Sequence, residues 1–182
     1  MLAPLNSDSA VLILVDVQGK LAQIMHEKDA LFANLQKLVR GAQALRLPIL
    51  WLEQNPERMG ATIPELRGLL AGATPIPKMS FSCCGEPAFL ARLEALGRGQ
   101  ALLAGIETHV CVYQTAADLV ARGCAVEVVA DGVSSRTLDN KLVGLERIRG
   151  CGARLTSVET CLFELLRTAG HAAFKEILKI VK

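Results

Sequence analysis

Apolar positions along the chain fall into two alternating rhythms. Short leucine-rich or β-branched runs, bounded by polar or turn residues, read as buried strands: AVLILVDV (10–17), PILWLEQ (48–54), QALLAGI (100–106), CAVEVVAD (124–131) and ARLTS (153–157). The few residues before Lys78 add one more short strand. Between these runs, apolar residues recur at helical spacing over 29–46, 87–97, 109–123, 138–152, 157–170 and 171–182. Gly97 and Gly123 close two of these segments, as glycine does at helix ends, and Ser157 is placed to cap another at its start. Residues 54–78, broken by prolines and glycines, read as a long loop with one short helical piece.

Strands that alternate with helices predict an α/β protein. Each parallel crossover must lay its helix on a face of the sheet. The expected architecture is a three-layer sandwich, a mostly parallel, doubly wound sheet flanked by helices. No repeat, low-complexity tract or linker interrupts the pattern, so one domain over 1–182 is expected.

Composition narrows the function classes. The chain is 51% hydrophobic and 21% charged, which is globular and not disordered. Lys plus Arg is 20 against 18 for Asp plus Glu, and the basic residues are dispersed. That gives no electrostatic footprint for nucleic acid or for an anionic membrane surface. Aromatics at 4% leave few platforms for base stacking. The first apolar run is too short for a bilayer and lacks a basic flank. A cytoplasmic protein acting on a small molecule is the expectation. There the six cysteines stay reduced. They form no CxxC, and adjacent Cys83 and Cys84 match no zinc spacing. Small buried hydrophobes describe most of them better than a redox pair does.

In open parallel sheets, ligands bind beyond the carboxyl ends of the strands. That rule selects Asp16, Lys78 and Cys111, each just after or at the end of an expected strand. A cysteine where a strand gives way to a helix meets unsatisfied N–H groups and partial positive charge, which favour thiolate. A lysine beside it would add to that, and a carboxylate could take and return its proton. Backbone N–H groups from Glu107 to Cys111 could hold an oxyanion. Gln54 and Tyr113 are candidates for the pocket wall. Each residue also has an ordinary alternative: a core thiol, a turn carboxylate, a solvated lysine. His109 reads as a loop or wall residue.

The blocks LILVDVQ (12–18), PKMSFS (77–82) and GIETHVCVYQTAADLVARG (105–123) resemble the isochorismatase-like cysteine hydrolases, a resemblance that runs on to VVADGVSSR (128–136). LEQNPERMGATIPEL (52–66) is most similar to the isochorismatase-domain-containing, YcaC-like branch. The resemblance implies a helix-flanked parallel sheet and an Asp-Lys-Cys triad of Asp16, Lys78 and Cys111. It further implies a cis peptide at Ile106–Glu107 and an oxyanion hole from the N–H groups of Glu107 and Cys111. Retention of the cysteine implies hydrolysis of a small amide or related C–N bond through an acyl-enzyme. Nicotinamidases hold a metal through an Asp and histidines ahead of the lysine. Residues 54–77 contain neither, so no metal and no cofactor is expected. The alternative is a catalytically silent member serving as an oligomeric binding or scaffolding protein. A mean hydropathy of +0.34 and an amphipathic terminal helix suggest a homo-oligomer, a dimer or larger.

Overall fold

A computed structural model describes residues 3–182. Six strands, β1 (Ala10–Val15), β2 (Ile49–Gln54), β3 (Ile76–Lys78), β4 (Gln100–Ile106), β5 (Ala125–Ser134) and β6 (Arg154–Thr156), form one sheet in the order β3-β2-β1-β4-β5-β6. Every neighbouring pair is parallel. The early helices are α1 (Gly19–Gln23), α2 (Lys28–Ala44), α3 (Pro56–Met59) and α4 (Pro64–Arg67). Then come α5 (Pro87–Leu96), α6 (Tyr113–Ala121), α7 (Leu138–Gly150), α8 (Val158–Leu166) and α9 (Phe174–Val181).

The period of two along each strand divides the interior into two cores. Leu12, Leu14, Leu102 and Ala104 turn to one face, where they pack with α2, α8 and α9. Val11, Ile13, Val15, Ala101 and Leu103 turn to the other, against α5, α6 and the buried Ile148 of α7. Because both faces are covered, β1 and β4 are buried along their whole length. Each leucine buried this way contributes roughly 1.5–3 kcal/mol. The result is the expected three-layer sandwich, with a sheet that is parallel throughout.

Differences from the sequence pattern have local causes. The segment after β2 holds two short helices, α3 and α4, each opened by a proline whose missing N–H costs nothing at a helix start. The strand expected to stop at Asp131 continues to Ser134, because β5 bulges: Leu103 pairs with Val128, and Gly105 next pairs with Val133. The bulge uses the polar residues that look like a strand end. Asp131 Oδ1 accepts the N–H of Val158 at the start of α8 (2.9 Å), and the Asp131 carbonyl accepts from Asn34 (3.0 Å). The terminal helix is shorter than expected. Its apolar face is not open, since Ile177 is buried against α2 and α8, and Phe174 meets Phe163 edge-on. Apolar side chains are instead exposed on α7, at Leu138, Leu142 and Val143. Among the described residues no helix is long and apolar enough to cross a membrane.

The strand order places a topological switch between β1 and β4. From β1 the chain winds outward through β2 and β3, and from β4 it winds the other way. The diverging connections leave a crevice at the carboxyl ends of these two strands. There β4 presses so closely on β1 that a Cβ on Gly105 (φ 125°) would fall 2.1 Å from the Val15 carbonyl oxygen.

Candidate active site

Asp16 follows β1 directly and is 4% exposed, with backbone in the left-handed region (φ 55°). Lys78 is the last residue of β3, and its side chain is fully buried. The strand register sets Lys78 opposite Gln54 of β2. Lys78 Nζ lies 2.7 Å from Asp16 Oδ2 and donates to Gln54 Oε1 (2.7 Å) and to the carbonyls of Ser80 (3.1 Å) and Phe81 (3.0 Å). Four oxygens thus share the three ammonium protons, which holds the charge in place.

Cys111 sits beyond β4, in a turn over Thr108–Val112 that is wider than an α-helical one. The N–H groups of Val110 and Val112 both donate to the Glu107 carbonyl (3.1 and 3.2 Å). This turn replaces the start of the helix expected from 109. The Ile106–Glu107 peptide bond is cis. Helix α7 braces the turn from outside, since a Cβ on Gly144 would lie 2.7 Å from the His109 nitrogen. Glu107, which lines the crevice, accepts at Oε1 from Arg136 Nε (3.0 Å), and His109 Nδ1, turned away from it, is 2.9 Å from Ser135 Oγ.

Electrostatics here differ from the simple helix-start argument. Burial is the largest influence on the Cys111 thiol, and the Asp16 charge adds to it. Together they outweigh Lys78 and push the thiol up to about 12. The expected thiolate is therefore not the resting form. Burial also raises Asp16 above the ordinary carboxylate range, against the opposing pull of Lys78 and of the Cys111 thiol. The resting pair is a neutral thiol beside a carboxylate made more basic than usual.

A cavity of about 290 Å³ reaches Asp16 and Cys111, walled by Leu21, Met59, Phe81 and Val110, with Gln54, Arg58 and Glu107 also lining it. Wider grooves run along α2 and α9 and beside α7, away from these groups. Asp16, Lys78, Cys111, Glu107 and Gln54 are thus brought together. Tyr113 lies elsewhere: its hydroxyl accepts from Arg147 (2.9 Å), whose guanidinium stacks 4.8 Å above its ring in the groove beside α7. Gln54 lines the cavity, but its amide is engaged with Lys78 and the Met79 carbonyl. Among the described residues, no group of three His, Cys, Asp or Glu is arranged to hold a metal.

Sequence reasoning missed Gln18. Fully buried, it donates to the carbonyls of Gln54 (3.1 Å) and Gly60 (2.7 Å) and accepts from the Gln54 N–H (2.6 Å). It ties the ends of β1 and β2 to α3. An amide two residues past Asp16, closing an otherwise apolar run, was the signal. Arg58, Met59 and Phe81 carried no such local signal.

The Isochorismatase domain model matches residues 10–160. The chain belongs to the isochorismatase family. At the family level it is a hydrolase. It is 39% identical to isochorismatase domain-containing protein 2A of Mus musculus over 176 residues, covering 96% of this chain and 84% of that protein. Among solved structures, it is similar to the MAR1 ribonuclease of Caenorhabditis elegans (TM-score 0.93, 34% identity, 98% and 92% of the two chains). The isochorismatase fold also matches the YcaC gene product of Escherichia coli, an octameric hydrolase of unknown specificity (TM-score 0.92, 24% identity, 99% and 91% covered).

Proposed function

We propose that this isochorismatase-family protein hydrolyses a small amide or related C–N bond through an acyl-enzyme on Cys111. One observation carries the reading: three segments bring a carboxylate, an ammonium and a thiol together at one strand-end crevice, and the cavity reaches the carboxylate and the thiol. Asp16 takes the Cys111 proton as the sulfur attacks the carbonyl. The rise in Asp16 basicity supports that transfer. N–H groups of Glu107 and Cys111 hold the oxyanion. Asp16 returns the proton to the departing nitrogen, and the C–N bond breaks. A water, deprotonated by the same carboxylate, then cleaves the thioester, giving acid plus amine and restoring the thiol. Lys78 holds Asp16 in position and Gln54 holds Lys78. No step needs a metal or cofactor.

The whole chain serves as one hydrolase domain, and six free thiols fit a cytoplasmic setting. We read it as a homo-oligomer that covers the exposed apolar side chains of α7. The worm protein's ribonuclease activity is a weaker reading, because an RNA backbone needs a run of free cations and the cavity offers one, Arg58. A silent scaffold is weaker too, having no use for a thiol at the end of a cavity. The test is ammonia release from a panel of small amides by wild type and Cys111→Ala, with RNA as a parallel substrate. Amide turnover lost in Cys111→Ala is expected. RNA cleavage without amide turnover overturns the proposal.

A further inference from the structure

We propose that the substrate is a small amide carrying a carboxylate at the end remote from the scissile bond, and that Arg58 receives this carboxylate. The inference rests on the amide hydrolysis proposed for Cys111. It follows from an account of the polar groups around the cavity. Asp16 is paired with Lys78. Glu107 is paired with Arg136, and the Gln54 amide is bonded at both ends. Arg58 is the charged lining residue that remains: among the described residues its guanidinium has no hydrogen-bond or ion-pair partner. Lys78, Arg136 and Arg58 set three cations against the carboxylates of Asp16 and Glu107, so one positive charge is left for the ligand to balance. A monoanion fits this and a phosphate dianion exceeds it. The planar guanidinium also matches a carboxylate in a two-point pairing.

Position supports the assignment. Asp16 and Cys111 lie at the buried end of the cavity, whereas Arg58 is exposed at the solvent end. Between them the walls are apolar, from Leu21, Met59, Phe81 and Val110, which suits a short hydrocarbon spacer. A surface arginine on a loose loop would carry little meaning, but this one is anchored. The Arg58 N–H donates to the Asn55 carbonyl (2.9 Å), and the Asn55 N–H donates to the Lys78 carbonyl (2.9 Å). Gln18 clamps the Gly60 carbonyl just beyond α3 (2.7 Å). The guanidinium is therefore presented from the same framework that fixes Lys78.

Succinamate and its neutral counterpart butyramide separate the possibilities. With wild type, kcat/KM for succinamate should exceed that for butyramide by about tenfold or more, the range of a hydrogen bond to a charged group. Arg58→Met should bring the ratio near one, chiefly through KM, and Arg58→Lys should restore part of it. Independently, calorimetry with the Cys111→Ser protein should show succinamate bound, and Arg58→Met added to it should weaken binding about tenfold or more. Equal turnover of the two amides, or a preference that survives Arg58→Met, overturns the inference while leaving amide hydrolysis intact. Absent turnover of both, with binding that still depends on Arg58, upholds Arg58 as the carboxylate site and overturns the amide hydrolysis, and with it the amide as substrate. Binding indifferent to Arg58 overturns the inference whatever the turnover.

Discussion

At the scale of single residues, the site is governed by how burial and one ammonium oppose each other on Asp16. The carboxyl is raised above its ordinary value by burial, and Lys78 pulls it back down. As the proposed base, Asp16 must be ionised. The acid limb of kcat/KM should therefore lie above the ordinary aspartate value of 3.8. Replacing Lys78 with Met removes the opposing pull, so the limb should move to higher pH, as a pH–rate profile would read. The same change strands a buried carboxylate and should cost about 3–5 kcal/mol of unfolding free energy in urea titrations. Linkage runs the same way. A folded-state value above the unfolded one stabilises the protein at low pH. That contribution is fully present below the unfolded value and is lost as pH rises through the folded one. In Asp16→Asn the decline in stability above pH 3.8 should shrink to the part that Glu127, also raised by burial, contributes, and an unchanged decline would count against Asp16.

At the scale of elements, what the sequence made legible and what it hid follow from the range of each interaction. Strand and helix identity was legible because side-chain period is a local property, and LILVDVQ or QALLAGI displays it in a few residues. Asp16, Lys78 and Cys111 were legible because each adjoins a strand end, which is also local. The β5 bulge was not. Asp131 and Gly132 are turn residues by type, and only the cap that Asp131 makes to α8 and its bond to Asn34 hold them within a strand. Tyr113 was a candidate for the pocket wall, but past the wide turn over 108–112 its hydroxyl meets Arg147 instead. The raised thiol value was hidden because burial depends on every layer around it. The brace between α7 and that turn gives a test. In Gly144→Ala the new methyl meets backbone at 2.7 Å, not a side chain that could swing away. Overpacking of this kind costs about 1–3 kcal/mol. The expected result is a lower melting temperature with kcat reduced more than KM is raised, since the displaced turn carries Cys111. A variant with unchanged kcat would mean that α7 yields and the turn does not.

At the scale of the whole molecule, apolar surface is distributed unevenly. Leu138, Leu142 and Val143 are each about half exposed on α7 (47%, 53% and 51%), while the terminal helix is closed against α2 and α8. If a second copy covers α7, light scattering at micromolar concentration should give a mass of at least twice 19.5 kDa, and Leu142→Glu should shift it toward the monomer. A wild-type monomer under those conditions would contradict the assembly. Because α7 also braces the Cys111 turn, dissociation should lower kcat as well.

The pairing of β1 with β4 has a consequence in time. Val15 can pair with Leu52 of β2 early, but it finds its β4 partner only when Gly105 has been made. At translation rates of about 5–20 residues per second, on the order of ten seconds separates the synthesis of Asp16 from that of Cys111. Parallel sheets with such distant pairings also close slowly once the chain is complete. Until closure, the Cys111 thiol titrates near its ordinary value of 9.0; afterwards burial carries it to about 12. Assembly of the sheet thus acts as a guard on the sulfur, which is most open to electrophiles in the newborn chain. Brief iodoacetamide pulses during refolding from urea should mark Cys111 heavily at first and then lose it on the same time course as the sheet forms.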